Sequence, residues 1–290
     1  MDIIVIFNGL GNQMSQYAFY LARQKKGVKS SLLVDSEILS QHNGFELDRV
    51  FHIPYKHTLI KSLLGKGYRK IQFGTRLGRI LGTCGFKVVR EPLDYTFDAQ
   101  FLEERSGTVN YYKGGWHSEK YFIDCRADIL KAFRFDTTLM NAETKKLADE
   151  IRRSRESVSL HVRRGDYLKK PWGIYDFSHV ATDEYYDKAI DIVKKQVGGE
   201  PVFYVFSNDM GWCREHFTQG KFVFVEHNQG LDSWQDMYLM SQCLWHINAN
   251  SSFSWWGAWL SEHPENTVAP QRFLRNVDTP DVYPQSWIRI

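Results

Sequence analysis

No apolar run in the 290-residue chain approaches the roughly 20 residues that cross a bilayer as a helix, so a soluble protein is expected. The opening stretch Met1–Phe7 is apolar. It is too short for a signal peptide and lacks a basic leader, which predicts a buried first strand in a cytoplasmic protein. Only four cysteines are present, Cys84, Cys125, Cys213 and Cys243, with no Cys-x-x-Cys spacing. That argues against a disulfide or zinc framework and predicts four buried free thiols. Asp-x-Asp, the Gly-x-x-x-x-Gly-Lys-Ser/Thr loop and the His-Glu-x-x-His helix are all missing. If a nucleotide diphosphate is handled, arginines and a helix dipole must neutralise it in place of a metal, and no metal is expected.

Acidic residues are missing from one long segment. Between Arg49 and Arg90 there are ten Lys and Arg but no Asp or Glu, in a chain whose net charge is +3. Apolar residues such as Leu59, Ile60, Leu63, Leu77 and Ile80 interleave with these charges. Residues 49–90 are therefore expected either to meet anionic lipid or a phosphate-bearing acceptor, giving peripheral membrane association, or to form a solvated cationic face. A nucleic-acid partner is not expected, because the basic residues lie away from both polar-loop clusters described below. What is plentiful is aromatic: nine Trp and fifteen Tyr, which fill cores or stack on sugar faces. They count as functional only beside likely chemistry.

The length fits two ordinary domains. Strand, Gly-rich turn and helix open the chain, with Asn8–Gln13 as the turn, Asn12 as the expected N-cap and Met14, Tyr17, Ala18 and Leu21 as a one-sided stripe. The later half alternates apolar strands at 158–162, 202–206 and 222–225 with helical stretches, the pattern of a doubly wound parallel sheet. The boundary is expected near residue 155, giving domains 1–155 and 156–290.

Chemistry concentrates at two places. His161-Val162-Arg163-Arg164-Gly165-Asp166 ends a strand with adjacent guanidiniums, costly to bury unpaired but suited to bidentate contacts with a diphosphate in the ligand crevice. Asp166 either takes a proton or holds an arginine. Asn250-Ser251-Ser252-Phe253-Ser254 opens a helix, where hydroxyls and backbone N–H groups make an anion site or an ordinary cap. Asp236, on the preceding helix, reads a ribose or a guanine edge, or else faces solvent.

These pieces, with Gly9-Leu10-Gly11-Asn12-Gln13, Tyr167, Phe206-Ser207-Asn208-Asp209 and Trp255-Trp256, together resemble the α-1,2-fucosyltransferases of glycosyltransferase family 11, bacterial type. The chain departs at Asn8, where that family often has Gly, and at Ser15, where it often has Phe. The resemblance implies an α/β GT-B fold, two Rossmann-like domains facing a central cleft, with a GDP-fucose-binding C-terminal domain and an acceptor-side N-terminal one. It implies inverting transfer of fucose from GDP-β-L-fucose to the 2-hydroxyl of a terminal β-galactoside, with no cofactor beyond that donor. The implied donor contacts are His161, Arg163, Arg164, Ser207, Asn208, Asp209, Asp236, Ser251, Ser252 and Phe253, with Gly9, Gly11, Asn12 and Gln13 from the other domain. Arg163 pairs the β-phosphate, Asp166 is the candidate base, and Tyr167, Trp116 and His117 are the candidate acceptor contacts. A GDP-sugar transferase of other sugar or linkage, and a non-catalytic carbohydrate- or nucleic-acid-binding protein, are the alternatives.

Overall fold

The computed structural model describes residues 1–35, 42–168 and 173–290, and the chain divides into two units, Met1–Arg134 and Phe135–Ile290. In the first, the apolar run Asp2–Ile6 forms β1, buried along its whole length. It is followed by α1 (Leu10–Lys25), β2 (Ser30–Val34), α2 (Glu46–Phe51), α3 (Leu59–Gln72), α4 (Arg76–Thr83), β3 (Phe86–Arg90), β4 (Val109–Lys113) and α5 (Arg126–Ala132). All four strands are parallel, in the order β2-β1-β4-β3. At the N-terminal end of this sheet Asp2 pairs with the fully buried Arg23 and accepts from Asn110 Nδ2 at 2.9 Å and the Tyr112 hydroxyl at 3.1 Å. A buried charge is tolerable only when satisfied in this way.

Helix α1 starts earlier than its apolar stripe suggests. Gly9, not Asn12, is the N-cap, and its carbonyl accepts from Asn12 N and Gln13 N at 3.0 and 3.1 Å. Asn8 before it has φ of 64°, a left-handed turn that asparagine tolerates better than most residues. The buried face is also wider than the stripe and includes Gln13, Gln16 and Arg23.

The second unit contains α6 (Ala142–Arg153), β5 (Ser157–Val162), α7 (Asp183–Val197), β6 (Val202–Ser207), α8 (Met210–His216), β7 (Lys221–Phe224), α9 (Trp234–Ser241), β8 (Trp245–Ile247), α10 (Ser252–Trp259), β9 (Thr267–Ala269) and β10 (Ile288–Arg289). Its six strands are parallel, in the order β10-β9-β8-β5-β6-β7. Val158, Leu160 and Val162 of β5 pack with Phe203, Val205 and Ile247 and with Tyr186, Ala189 and Val193 of α7.

The division falls at Arg134/Phe135 rather than near residue 155, which moves α6 into the second unit. The reason is packing. Asn141 caps α6 and also donates to Asn228 Oδ1 at 2.8 Å, Arg152 donates to the Tyr238 hydroxyl at 2.9 Å, and Phe135 stacks on Trp234. Cysteine burial departs from expectation as well: all four thiols are free, but Cys84 is exposed. Among the described residues no helix is long and apolar enough to cross a membrane.

Candidate active site

In an open parallel sheet, ligands bind outside the strand C-termini where the strand order reverses direction. In the second unit that reversal lies between β5 and β8, neighbours in the sheet though 3 strands apart in sequence order. The loops leaving these two strands are Arg163–Leu168 and Asn248–Ser251, so the two polar clusters of the sequence meet at one switch point.

The two adjacent arginines have different fates. Arg164 is braced: its guanidinium bonds Asp183 at 2.9 Å, lies 3.7 Å from Asp209 and sits 4.0 Å above the Trp212 ring. Its backbone N–H donates to Asn208 Oδ1 at 3.0 Å. Arg163 has a single carboxylate partner, Asp166, at 2.8 Å. The Nε of each arginine is buried without a hydrogen bond, but that of Arg164 faces Asp209 at 3.7 Å. Both Asp166 oxygens are engaged, the second by Asn208 Nδ2 at 3.0 Å. Asn208 therefore clamps the loop from both sides, and a side chain at Gly165 would lie only 2.7 Å from it. Ser207 and Asp209 serve the same scaffold: Ser207 Oγ accepts from Asp209 N at 2.9 Å, and Asp209 caps α8.

Around Arg163 stand the groups of the second loop. Ser251 caps α10 through Phe253 N, which leaves the first turn of that helix, with Ser252 and Phe253, at the switch point. Tyr167 stacks on Phe177, lies under the Arg163 guanidinium at 5.4 Å and hydrogen-bonds Ser251; burial pushes its hydroxyl up to about 12. His161 is 6% exposed, its ring 6.0 Å from that of Phe253. Burial, reinforced by Arg163, holds its imidazole down at about 3, so it is neutral, and its Nδ1 has no hydrogen-bond partner. Asp236, in the first turn of α9, is pushed up to about 7 by burial, against the opposing bond from Asn228 Nδ2 at 2.9 Å. It is therefore not a solvent-facing helix residue. Trp255 and Trp256 are core: Trp255 Nε1 donates to Val282 O, and Trp256 is fully buried.

In the first unit the reversal lies between β1 and β4; Gly9 is in the turn after β1, Gly11 is already buried in the first turn of α1, and Trp116 and His117 follow β4. Gln13 is not open to a ligand here. Its amide donates to Asn8 O at 2.8 Å and Gly44 O at 2.9 Å and accepts from Glu46 N at 2.9 Å, with no surface exposed. Asn12, by contrast, is half-buried in the first turn of α1. Trp116 corrects the expectation of an acceptor platform. It is 0% exposed, stacked on Phe19 at 4.1 Å and edged by Phe101 and Tyr121, so no sugar reaches its face. His117 is buried too, its Nδ1 3.2 Å from Ser15 Oγ, and desolvation lowers it to about 4.

Among the described residues no group of three or more His, Cys, Asp or Glu is placed to hold a metal ion. The glycosyl transferase family 11 profile matches residues 97–290, which includes the whole second unit. The chain belongs to glycosyl transferase family 11. It is 31% identical to an α-1,2-colitosyltransferase of Escherichia coli, over 100% of this chain and 99% of that one. It is 27% identical to galactoside α-(1,2)-fucosyltransferase 1 of Alouatta caraya, over 93% of this chain and 66% of that one. Among solved structures, fucosyltransferase NodZ from Bradyrhizobium superposes with a TM-score of 0.52 at 14% identity, covering 90% of this chain and 92% of that one. That likeness bears on fold alone, and the fold is the expected α/β GT-B class.

Two groups in this family 11 chain escape a reading of the sequence. Asn248 follows β8 in sequence and is 1% exposed, with its Nδ2 unpartnered. Ser159 and His246 face each other across β5 and β8, bonded at 2.9 Å. Two residues further along each strand, on the same face, come His161 and Asn248. The two residues with partnerless nitrogens thus fall next to each other in the register of the sheet, His161 with its ring 6.0 Å from Phe253 of α10. The only sequence signal was an asparagine after a strand, shared with ordinary turns. Glu91, after β3, is buried, accepts from Trp116 N at 2.8 Å and is raised to about 8 by desolvation. It orders the 114–117 loop, and nothing in its neighbours in sequence marks it.

Proposed function

We propose that this glycosyltransferase moves L-fucose from GDP-β-L-fucose to the 2-hydroxyl of a terminal β-galactoside, with inversion and without a divalent metal. The observation that carries the reading is Arg163: a guanidinium at the switch point with Asp166 as its single carboxylate partner, whereas its neighbour Arg164 is held by Asp183, Asp209 and Trp212. In the reaction the galactose O2 bonds to the anomeric carbon of fucose, the bond from that carbon to the β-phosphate oxygen breaks with its electron pair leaving on GDP, and the O2 proton is lost to the departing phosphate or to solvent. Charge builds on the leaving diphosphate, and stabilising it is the main demand on the protein. Arg163 and the partial positive end of α10 answer that demand. The motif His-x-Arg-Arg-Gly-Asp-Tyr and the α-1,2 linkage named for the Escherichia coli relative support the same reaction. We assign the second unit to GDP-fucose, with His161, Asn248, Ser252 and Phe253 near the diphosphate and Asp236 near the nucleoside. The acceptor is assigned to the first unit. Both Asp166 oxygens are already engaged, which favours its role in aiming Arg163 over one as base.

The identity to the colitosyltransferase favours a second reading. Colitose is fucose without its 3-hydroxyl. A site built to hydrogen-bond a hydroxyl rejects the deoxy analogue by as much as about 10⁴–10⁵, whereas one that ignores it accepts both. Turnover of GDP-fucose and GDP-colitose against a panel of β-galactosides, with the linkage read by NMR, separates these. An α-1,2-fucoside is expected; transfer of colitose alone replaces the donor, and transfer of neither overturns the assignment.

A further inference from the structure

We propose that the hairpin of α3 and α4 is a docking surface for an anionic phospholipid bilayer, with its apolar side chains entering the headgroup boundary. Residues 49–90, the acid-free segment, fold into the end of α2, then α3, α4 and β3. Thr58 and Thr75 cap the two hairpin helices through Lys61 N and Gly78 N. Their junction is tight: a side chain at Gly78 would collide with the Lys70 carbonyl, so only glycine lets α4 cross α3 there. Helix α3 is held to the sheet on one side only, by the buried Tyr68, by Leu64 and Ile71, and by the Tyr111 hydroxyl on Leu64 O at 2.9 Å.

The other side is apolar and uncovered. Leu59 is 86% exposed, Phe73 at the hairpin tip 70%, and Ile60, Leu63, Leu77 and Ile80 each more than half. Leu59 and Leu63 lie one turn apart on α3, and Lys66 and Lys70 continue the same line. Exposed apolar residues scattered singly need no explanation, but a run of them along one hairpin does.

Charge complementarity selects the occupant. Lys56, Lys66, Lys70, Arg76 and Arg79 are exposed and make no ion pair among the described residues, whereas Arg49 pairs with Glu46 at 3.0 Å. An aqueous anion would use these charges but not the leucines, and a second copy of the chain would bring the same positive face against itself. An anionic leaflet satisfies both features, since the apolar side chains enter the interface while the basic ones meet lipid phosphates. The surface belongs to the first unit and Arg163 to the second, so the proposal is independent of the donor assignment.

Co-sedimentation with vesicles of mixed phosphatidylglycerol and phosphatidylcholine, against phosphatidylcholine alone, tests it. Strong, salt-reversible binding to the anionic vesicles is expected, with little to the neutral ones. Each basic residue engaged tightens partitioning by about fivefold, so the Lys70→Gln, Arg76→Gln double variant should bind roughly 25-fold more weakly. Leu63→Asp with Ile80→Asp should abolish binding while the thermal unfolding temperature stays unchanged, both positions being already exposed. Equal partition between the two vesicle types overturns the proposal. So does concentration-dependent dimerisation in sedimentation velocity without vesicle binding, which marks a self-association face. Salt-sensitive binding to duplex DNA in place of anionic vesicles overturns it as well.

Discussion

Two arginines that are neighbours in sequence are assigned unlike work by their surroundings, and substitution separates them. Arg163→Lys keeps the charge but loses the planar fork, a contact worth roughly 1.5–3 kcal/mol. Turnover should therefore fall by about 10- to 150-fold with normal thermal unfolding; near wild-type turnover removes Arg163 from the donor site. Arg164→Lys should instead lower stability by about 1–2 kcal/mol through the loss of its fit to Trp212, Asp183 and Asp209. Its urea midpoint should move more than the donor KM. Asp236 adds a pH signature. Burial pushes its carboxyl up to about 7, well above the ordinary aspartate range, so the stability linked to it is complete at acid pH and is lost as pH rises through 7. If the carboxylate accepts N–H groups of the guanine edge, binding needs the ionised form. GDP affinity should then rise about tenfold from pH 6 to 8, following the ionised fraction. Asp236→Asn should flatten that slope in calorimetric titration, and an unchanged slope places the titrating group elsewhere.

At the scale of elements, the loops after the strands are held by buried partners rather than by their own turns. The 114–117 loop leaves β4 with Trp116 driven inward against Phe19, Phe101 and Tyr121, while Glu91 receives its backbone N–H. Trp116→Ala should therefore cost about 3–5 kcal/mol of stability, the usual penalty for emptying a large aromatic site. The KM for the galactoside should change only as far as the loop loosens. A selective rise in acceptor KM with unaltered unfolding would restore Trp116 as a sugar platform. On the other unit, α10 divides its labour along its length. Its first turn, with Ser252 and Phe253 behind the Ser251 cap, lies at the switch point, and its remainder, with Trp255, Trp256 and Trp259, fills the core. A tryptophan motif in the sequence is thus the buried anchor of that helix rather than an exposed stacking surface.

The molecule as a whole follows one plan twice, a parallel sheet whose order reverses between two strands with polar loops at the reversal. In the second unit that plan gathers a guanidinium and a helix N-terminus. These are the means by which a diphosphate can be neutralised without a divalent ion. Turnover of GDP-fucose should accordingly be undiminished by EDTA and unimproved by added magnesium or manganese. Loss on chelation that either ion restores would show that the leaving group is neutralised differently.

The sequence by itself determined what local physics decides. Runs such as Ser157–Val162 and Val202–Phe206 are apolar enough to be buried strands, Asn141 is a side-chain cap, and the polar stretches after strands mark the ligand end of the sheet. Its motifs were enough to indicate the family. Tertiary structure decided whatever depends on residues far apart in the chain. Strand order brought the loop after β5 to the loop that opens α10, and packing spent Arg164 on Asp183, Asp209 and Trp212 while leaving Arg163 one carboxylate partner. It also turned Trp116 inward, buried Glu91, and set His161 and Asn248 side by side on adjacent strands. Burial and desolvation are sums over neighbours from many elements, and no window of sequence contains those neighbours. The same holds for the basic segment: its charge was plain in the sequence, but which of its leucines the sheet would cover was a question only packing could answer.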